Sequence, residues 1–448
     1  MKLTFHGGAG SVTGANYLLE SGNTKILIDC GLEQGGSFVE KSNFEDFKYD
    51  PKEVQAVFVT HAHVDHVGRL PKLVKQGFVG TIYSTPPTKD FAELLLIDSE
   101  HVLRGESEKA GLPPLYEIDD IERVMIRWQG VPYHETVEVG PFKVTLYDAG
   151  HILGSAIIKV EAEGKTVVFS GDLGNYPAPI IHNTENLPDA DYLLIESTYG
   201  DRFHEREDKR QADLEDAIED AVKDGGVLMI PTFAMERTQE LLYHMDELFT
   251  NGRVPKVPVF IDSPLAIKIT AVYKKYEKYF NAETYKLVKS GEDILNFPGL
   301  RLTLTTEQSK EINDVPAPKI IIAGSGMSNG GRILHHERRY LSDPKSTILF
   351  VGYQAKGTLG RRIFDGEKEV KIFGEPVAVN CKVKNISAYS AHADQPKLLK
   401  WVEPRKGTLK KVFIIQGEEG ASDVLAQKLR DEFAVDAYVP KAHEEFVL

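Results

Sequence analysis

Short apolar runs recur in the first part of the chain, and each leads straight into a polar side chain. Lys25-Ile26-Leu27-Ile28 leads into Asp29, Val57-Phe58-Val59 into the His61 cluster, Thr166-Val167-Val168-Phe169 into Asp172, and Tyr192-Leu193-Leu194-Ile195 into Glu196. Polar groups at strand ends, on loops held by a rigid sheet, are a common way to build a site. Beyond Asp201 the period changes. Residues 208–223 have helical spacing and stop at Gly225-Gly226, a C-terminal cap signal. A strand at 227–230, a helix at 237–248, a strand at 257–261, a helix at about 266–279 and a strand at 319–323 follow. Strands alternating with helices predict a parallel α/β unit. From about Ser346 short strands with motif-bearing loops return. The pattern predicts a first domain over residues 1–200, an inserted α/β domain over 201–345, and completion of the first domain by 346–448.

Composition changes this picture little. At 448 residues the chain exceeds what one hydrophobic core usually supports. Hydrophobic content of 42% and charged content of 27% are ordinary for a globular protein. The two cysteines, Cys30 and Cys381, are far apart, which argues against a disulfide framework and reads as two buried small hydrophobes. The N-terminus has no apolar leader and no stretch reaches membrane-spanning length, so a cytoplasmic protein without a membrane partner is expected. A net charge of −14 does not by itself favour a polyanionic partner. Basic clusters at Lys274-Lys275-Lys278 and Arg361-Arg362 read as solvated helix faces.

The chemistry concentrates in His61-Ala62-His63-Val64-Asp65-His66. His61 and His63 alternate on a short extended turn, so both imidazoles can face one cation, and Asp65 and His66 project toward a second. With no cysteine nearby, nitrogen and oxygen donors point to zinc. His151 lies in Asp148-Ala149-Gly150-His151-Ile152-Leu153-Gly154, where small residues permit close backbone approach. Asp172 follows a strand, and a carboxylate there can bridge two cations. Asp29 reads as a residue that orients the histidine loop rather than as a ligand.

In order, spacing and flanking residues these motifs resemble the metallo-β-lactamase superfamily. Glu196-Ser197-Thr198-Tyr199-Gly200, Pro231-Thr232-Phe233-Ala234, Asp262-Ser263-Pro264, Gly324-Ser325-Gly326-Met327, Val351-Gly352-Tyr353-Gln354 and Ser390-Ala391-His392-Ala393-Asp394 resemble its β-CASP branch. The resemblance covers essentially the whole chain. It is closest in kind to the bacterial and archaeal relatives of the endonuclease subunit of the cleavage and polyadenylation specificity factor. It implies an αββα sandwich with an inserted β-CASP parallel-sheet domain, two zinc ions, and hydrolysis of RNA, single-stranded, as the reaction. By the same resemblance one ion is held by His61, His63, His151 and Asp172, and the other by Asp65, His66 and Asp172. A hydroxide between the ions is the implied nucleophile, with Asp65 in the catalytic set and His392, charged and oriented by Glu196, protonating the leaving group. Arg237, Ser325, Ser328, Asn329, Arg332 and His336 are the expected RNA-backbone contacts. Phe233 and Tyr353 are candidates for stacking on bases, with wall packing the commoner role for such residues.

One position departs from the pattern. The RNA-cleaving branch carries a histidine in a strand-ending Val-His-Gly-Glu motif, and here Ile414-Ile415-Gln416-Gly417-Glu418 puts Gln416 in its place. An amide is a poorer zinc donor than imidazole. Three expectations follow: weak ligation by Gln416, a partly empty second site, or a relative of reduced activity that binds RNA without cutting it. Retained activity with a weaker second site fits the otherwise complete motif set best. A small-molecule metallo-hydrolase is the remaining alternative. Because the last motif lies near the chain's end, specificity is expected from the domains themselves, from a homodimer or from a partner.

Overall fold

The computed structural model describes residues 1–34, 41–204, 209–352, 354–355 and 357–448. Residue 208, where the helix expected at 208–223 begins, and Tyr353 lie outside the described residues. The chain forms two compact units, residues 1–203 with 392–448 and residues 204–391.

The first unit is built on two seven-stranded sheets. One runs Glu445–Val447, Lys2–Gly7, Asn16–Ser21, Thr24–Ile28, Ala56–Phe58, Thr81–Ser84, Trp128–Gly130. The other runs Ala437–Tyr438, Lys411–Ile415, Tyr192–Glu196, Lys165–Phe169, Ala156–Ala162, Phe142–Asp148, Thr136–Val139. Alternation along each strand makes the layers. Val167 and Phe169 enter a core shared with Phe5, Tyr17, Ile28 and Phe58 of the first sheet. Val168, between them, faces the other way and packs with Leu398, Trp401, Leu425 and Leu429 of helices Gln395–Val402 and Glu419–Phe433. Helix Pro86–Ala110 meets the first sheet at strand Trp128–Gly130, where Lys89 Nζ donates to the Trp128 carbonyl at 2.7 Å. Thr85 caps its start and Gly111, in the left-handed region, ends it. Two sheets on a shared core, with helices against the second sheet's other face, agree with the αββα sandwich that the resemblance implied.

Strand direction decides where the polar strand ends meet. Thr24–Ile28 and Ala56–Phe58 run parallel, as do Lys165–Phe169, Tyr192–Glu196 and Lys411–Ile415. Parallel strands release their C-terminal residues along one edge. Asp29, Thr60, Asp172, Glu196 and Gln416 therefore leave their sheets on the same side as the His61 turn.

The second unit holds a six-stranded parallel sheet in the order Leu300–Leu302, Val259–Ile261, Lys319–Ala323, Val227–Pro231, Thr347–Val351, Lys382–Ile386. Its central strands are buried on both faces, which is why they read as unbroken apolar runs. Helix Arg210–Asp224 ends at left-handed Gly225, and the helix expected at 266–279 is Pro264–Lys275 followed by a separate turn Glu277–Tyr279. The last two strands of this sheet lie beyond residue 345, so the unit extends to 391 rather than ending where the sequence pattern suggested. Crossover connections let a parallel sheet add strands out of local view, so nothing in residues 346–391 signals which sheet they join.

Cys30 and Cys381 are both free and buried. Lys274 pairs with Asp293, Arg361 with Asp365 and Arg362 with Glu367, as expected of solvated surfaces. Among the described residues no helix is long and apolar enough to cross a membrane.

Candidate metal centre

The site begins at the end of strand Thr24–Ile28. Asp29 is 1% exposed, and its two oxygens face the start of the histidine turn. Oδ1 accepts from the Thr60 amide and Oδ2 from the Thr60 hydroxyl, each at 2.8 Å, while His66 Nδ1 also lies 2.8 Å from Oδ2. The Thr60 hydroxyl is 3.1 Å from Nδ1 of both His61 and His66. Fixing each ring at Nδ1 turns its Nε2 toward the middle of the site. A side chain at Gly31 would put its Cβ 1.5 Å from the Asp65 carbonyl oxygen, so glycine alone permits this loop pair to close.

Four groups converge there. Donor atoms of His61, His63, His151 and Asp172 all lie within 4.8 Å of one another. His61 Nε2 is 3.0 Å from His63 Nδ1 and 3.4 Å from Asp172 Oδ2, and His151 Nε2 is 3.3 Å and 3.6 Å from the same two atoms. The His151 loop is shaped by Ser155, whose Oγ accepts from the His151 amide, and by Gly150 at φ 63. Asp172 reaches a second set through its other oxygen: His66 Nε2 is 3.3 Å from Oδ1 and 3.9 Å from Asp65 Oδ2.

Glu196, fully buried, accepts from the Leu173 amide at 2.6 Å and places Oε2 3.2 Å from His392 Nδ1. His392 Nδ1 is also 3.9 Å from Asp172 Oδ2, and Asp172, Glu196 and His392 form a second group of converging donors. Gln416 is 2% exposed and has φ 50. Its Nε2 lies 2.9 Å from His66 Nε2 and 2.9 Å from Asp172 Oδ1, while its Oε1 is buried without a hydrogen-bond partner.

Electrostatics suit a cation. Burial pushes His63 and His151 well below the ordinary imidazole value, with His61 adding to the effect on His63 and His392 to that on His151. Neutral imidazole is the form that coordinates. Burial opposes charge on Asp172, but His66 and His61 overcome it and hold the carboxyl well below the carboxylate range. Burial raises Asp65. For His66 burial works against the charged ring, and Asp172 and Asp29 outweigh it. Edge-to-face imidazoles of His61, His63 and His151 together with the oxygens of Asp172 form a donor set that a divalent ion fits.

The residues expected to meet an RNA backbone belong to the second unit. Arg332 donates from Nη1 to Asp262 Oδ1 at 2.7 Å and to the Thr303 carbonyl at 2.9 Å, and from Nη2 to the Leu304 carbonyl. His336 Nε2 is 2.7 Å from Asp262 Oδ2. Although burial disfavours its charge, Asp262 is held well below the carboxylate range by His336, Ser309, Thr303 and Arg332. Ser325 Oγ accepts from the Asn329 and Gly330 amides, Asn329 Oδ1 from the Leu359 amide, and the Ser328 hydroxyl donates to Glu337. Arg237 pairs with Glu236 at 2.6 Å. Arg332, His336 and Ser328 thus spend donors on partners within the unit, while Ser325 and Asn329 accept backbone amides through their side-chain oxygens. Phe233 is 46% exposed. Thr60 is the one prominent site residue that the sequence reading passed over; its position directly before His61, at a strand end, was the available signal.

Family models match in sequence order. The Metallo-beta-lactamase superfamily matches residues 10–232, the Beta-Casp domain residues 238–363, and the Zn-dependent metallo-hydrolase RNA specificity domain residues 376–440. The chain is 39% identical over 422 residues to Ribonuclease TTHA0252 of Thermus thermophilus, covering 94% of each protein. It is 31% identical to the RNase J-like protein of Methanocaldococcus jannaschii, covering 98% of this chain and 97% of that one. It is 32% identical to Transcription termination factor FttA of Methanosarcina mazei, covering 97% of this chain and 70% of that protein. A solved structure of a protein of unknown function from Enterococcus faecalis V583 aligns over 100% of this chain and 99% of its own with a TM-score of 0.61. At 14% identity that likeness speaks for the fold alone.

Proposed function

The chain belongs to the metallo-β-lactamase superfamily, in the branch that carries a Beta-Casp domain, and from that premise we propose that it is a zinc-dependent ribonuclease. The observation that carries the reading is the Glu196–His392 pair set beside Asp172, at 3.2 Å and 3.9 Å. A cation-binding cluster alone serves many hydrolases. An imidazole held next to it by a buried carboxylate suits a reaction whose leaving group needs a proton, as an alkoxide does. The likeness to a ribonuclease and to an RNA specificity domain supports RNA as the substrate.

The roles divide by geometry. His61, His63, His151 and Asp172 would hold the ion, with Thr60, itself held by Asp29, keeping the His61 ring turned toward it. A bound divalent ion supplies a lowered water pKa and neutralises charge on a phosphodiester. Glu196 Oε2, 3.2 Å from Nδ1, orients the ring of His392. His392 then delivers its proton to the departing oxygen, and Asp65 stands across from it at the His66 side. In the second unit Arg237 and the Gly324–Arg332 loop would supply the surface on which the RNA backbone lies.

Purified protein incubated with 5′-labelled single-stranded RNA, matched DNA and nitrocefin tests the reading. Cleavage of the RNA alone, lost in Asp65→Asn and in His392→Ala, is expected. Turnover of nitrocefin without RNA cleavage would overturn it, and RNA cleavage that persists in both variants would mark a contaminating nuclease.

A further inference from the structure

We propose that Gln416 makes this a one-ion centre, its amide group occupying the place of the second cation. The proposal rests on the metal reading above, but not on RNA as the substrate. A second ion would need the set Asp65, His66 and Asp172 Oδ1. The nitrogen of Gln416 lies 2.9 Å from both His66 Nε2 and Asp172 Oδ1, which are themselves 3.3 Å apart. An amide NH₂ has two protons. One meets the Asp172 carboxylate, and the nitrogen itself sits against His66 Nε2, so an NH₂ group fills the space between the donors that a cation would otherwise join.

The orientation of the amide follows from its surroundings. Asp172 Oδ1 accepts in either protonation state of His66, so the nitrogen must face it, and turning Oε1 there would set two acceptors 2.9 Å apart. Oε1 is instead directed away, buried and without a hydrogen-bond partner. That is the atom a metal would need. To recruit it, the amide must rotate by half a turn, break both contacts and expose its NH₂ to the buried pocket Oε1 now faces. The backbone offers little help. The Gln416 amide donates to the Gly8 carbonyl at 2.8 Å, its own carbonyl accepts from the Thr198 hydroxyl at 3.2 Å, and φ is 50. The four donors of the first set do not depend on this rotation, because Asp172 contributes Oδ2 to them.

The test is stoichiometry. Metal-free full-length protein is titrated with Co²⁺, following the visible absorption, and separately reloaded with excess Zn²⁺, desalted and assayed for zinc per chain. One equivalent is expected to saturate the wild type and one zinc to be retained; Gln416→His is expected to take two. Two tightly held ions in the wild type would overturn the proposal, and the wild-type titration decides the matter even if Gln416→His does not fold. RNA cleavage measured on the same samples separates the two readings. One ion without cleavage removes the ribonuclease reading and leaves this one. Cleavage with two ions does the reverse, and no retained ion removes both.

Discussion

Asp29 Oδ2 lies 2.8 Å from Nδ1 of His66, with both side chains buried. The same oxygen accepts from Thr60, whose hydroxyl also reaches His61. One carboxylate thus orients two rings of the site, His66 directly and His61 through a hydroxyl. Outer partners of this kind typically contribute about 10–100-fold in metal affinity. Thr60→Val should weaken zinc binding by that order in competition with a chromophoric chelator, and Thr60→Ser should restore most of it. Equal affinity in Thr60→Val would show that the rings need no such support.

Glu196 and His392 are assigned to proton delivery, so their loss should separate activity from metal binding. Glu196→Gln and His392→Ala should each lower kcat on RNA by about 10²–10⁴-fold. Zinc content should stay at the wild-type value, read by elemental analysis of the same samples. A parallel loss of zinc would make the pair structural instead.

The clustered donors should cost stability when no ion is bound. A ligand that binds the folded state at 100 times its Kd adds about 2.7 kcal/mol. Chelator should therefore lower Tm by several degrees in differential scanning calorimetry, and a small excess of Zn²⁺ should restore it. In His151→Ala, which lacks one of the four converging donors, the chelator-dependent shift should shrink. An unchanged Tm in the wild type would mean that these groups hold no ion.

Glu337 gives a pH dependence away from the metal. It is buried, accepts from Ser328, and burial pushes its carboxyl up to about 8. The folded state thus keeps a proton that the unfolded chain releases near the ordinary value of 4.5. Stability contributed by this group is present below about 4.5 and is lost as pH rises toward about 8, at up to about 1.4 kcal/mol per pH unit. Glu337→Gln should flatten that slope in urea unfolding between pH 5 and 8, conditions chosen to span this window on the order of one proton. A slope identical to the wild type would show that Glu337 ionises normally.

Much of the centre was legible from local pattern. Apolar runs ending at Asp29, Asp172 and Glu196 are strands whose last residues leave the sheet at one edge, and period two fixes which side chains face the core. The inserted parallel unit was legible from alternation, though not its end, because strands Thr347–Val351 and Lys382–Ile386 join a sheet begun more than a hundred residues earlier. The glycine-rich loop was the least legible. Its polar residues look like phosphate donors in sequence, and only the buried carboxylates Asp262 and Glu337 show what they serve within their own unit.

By itself the sequence determined that His61, His63, Asp65 and His66 share one turn, since six consecutive residues cannot separate far. It also put Gln416 at the end of an apolar run, where the resemblance implies a histidine. Only the tertiary structure decided what that substitution does. Gln416 is 350 residues from His66 and 244 from Asp172, and no spacing rule places its nitrogen against both. Its position follows from the parallel pairing of Lys411–Ile415 with Tyr192–Glu196, which carries the strand end into the site. The direction of its amide follows from the one acceptor it must face.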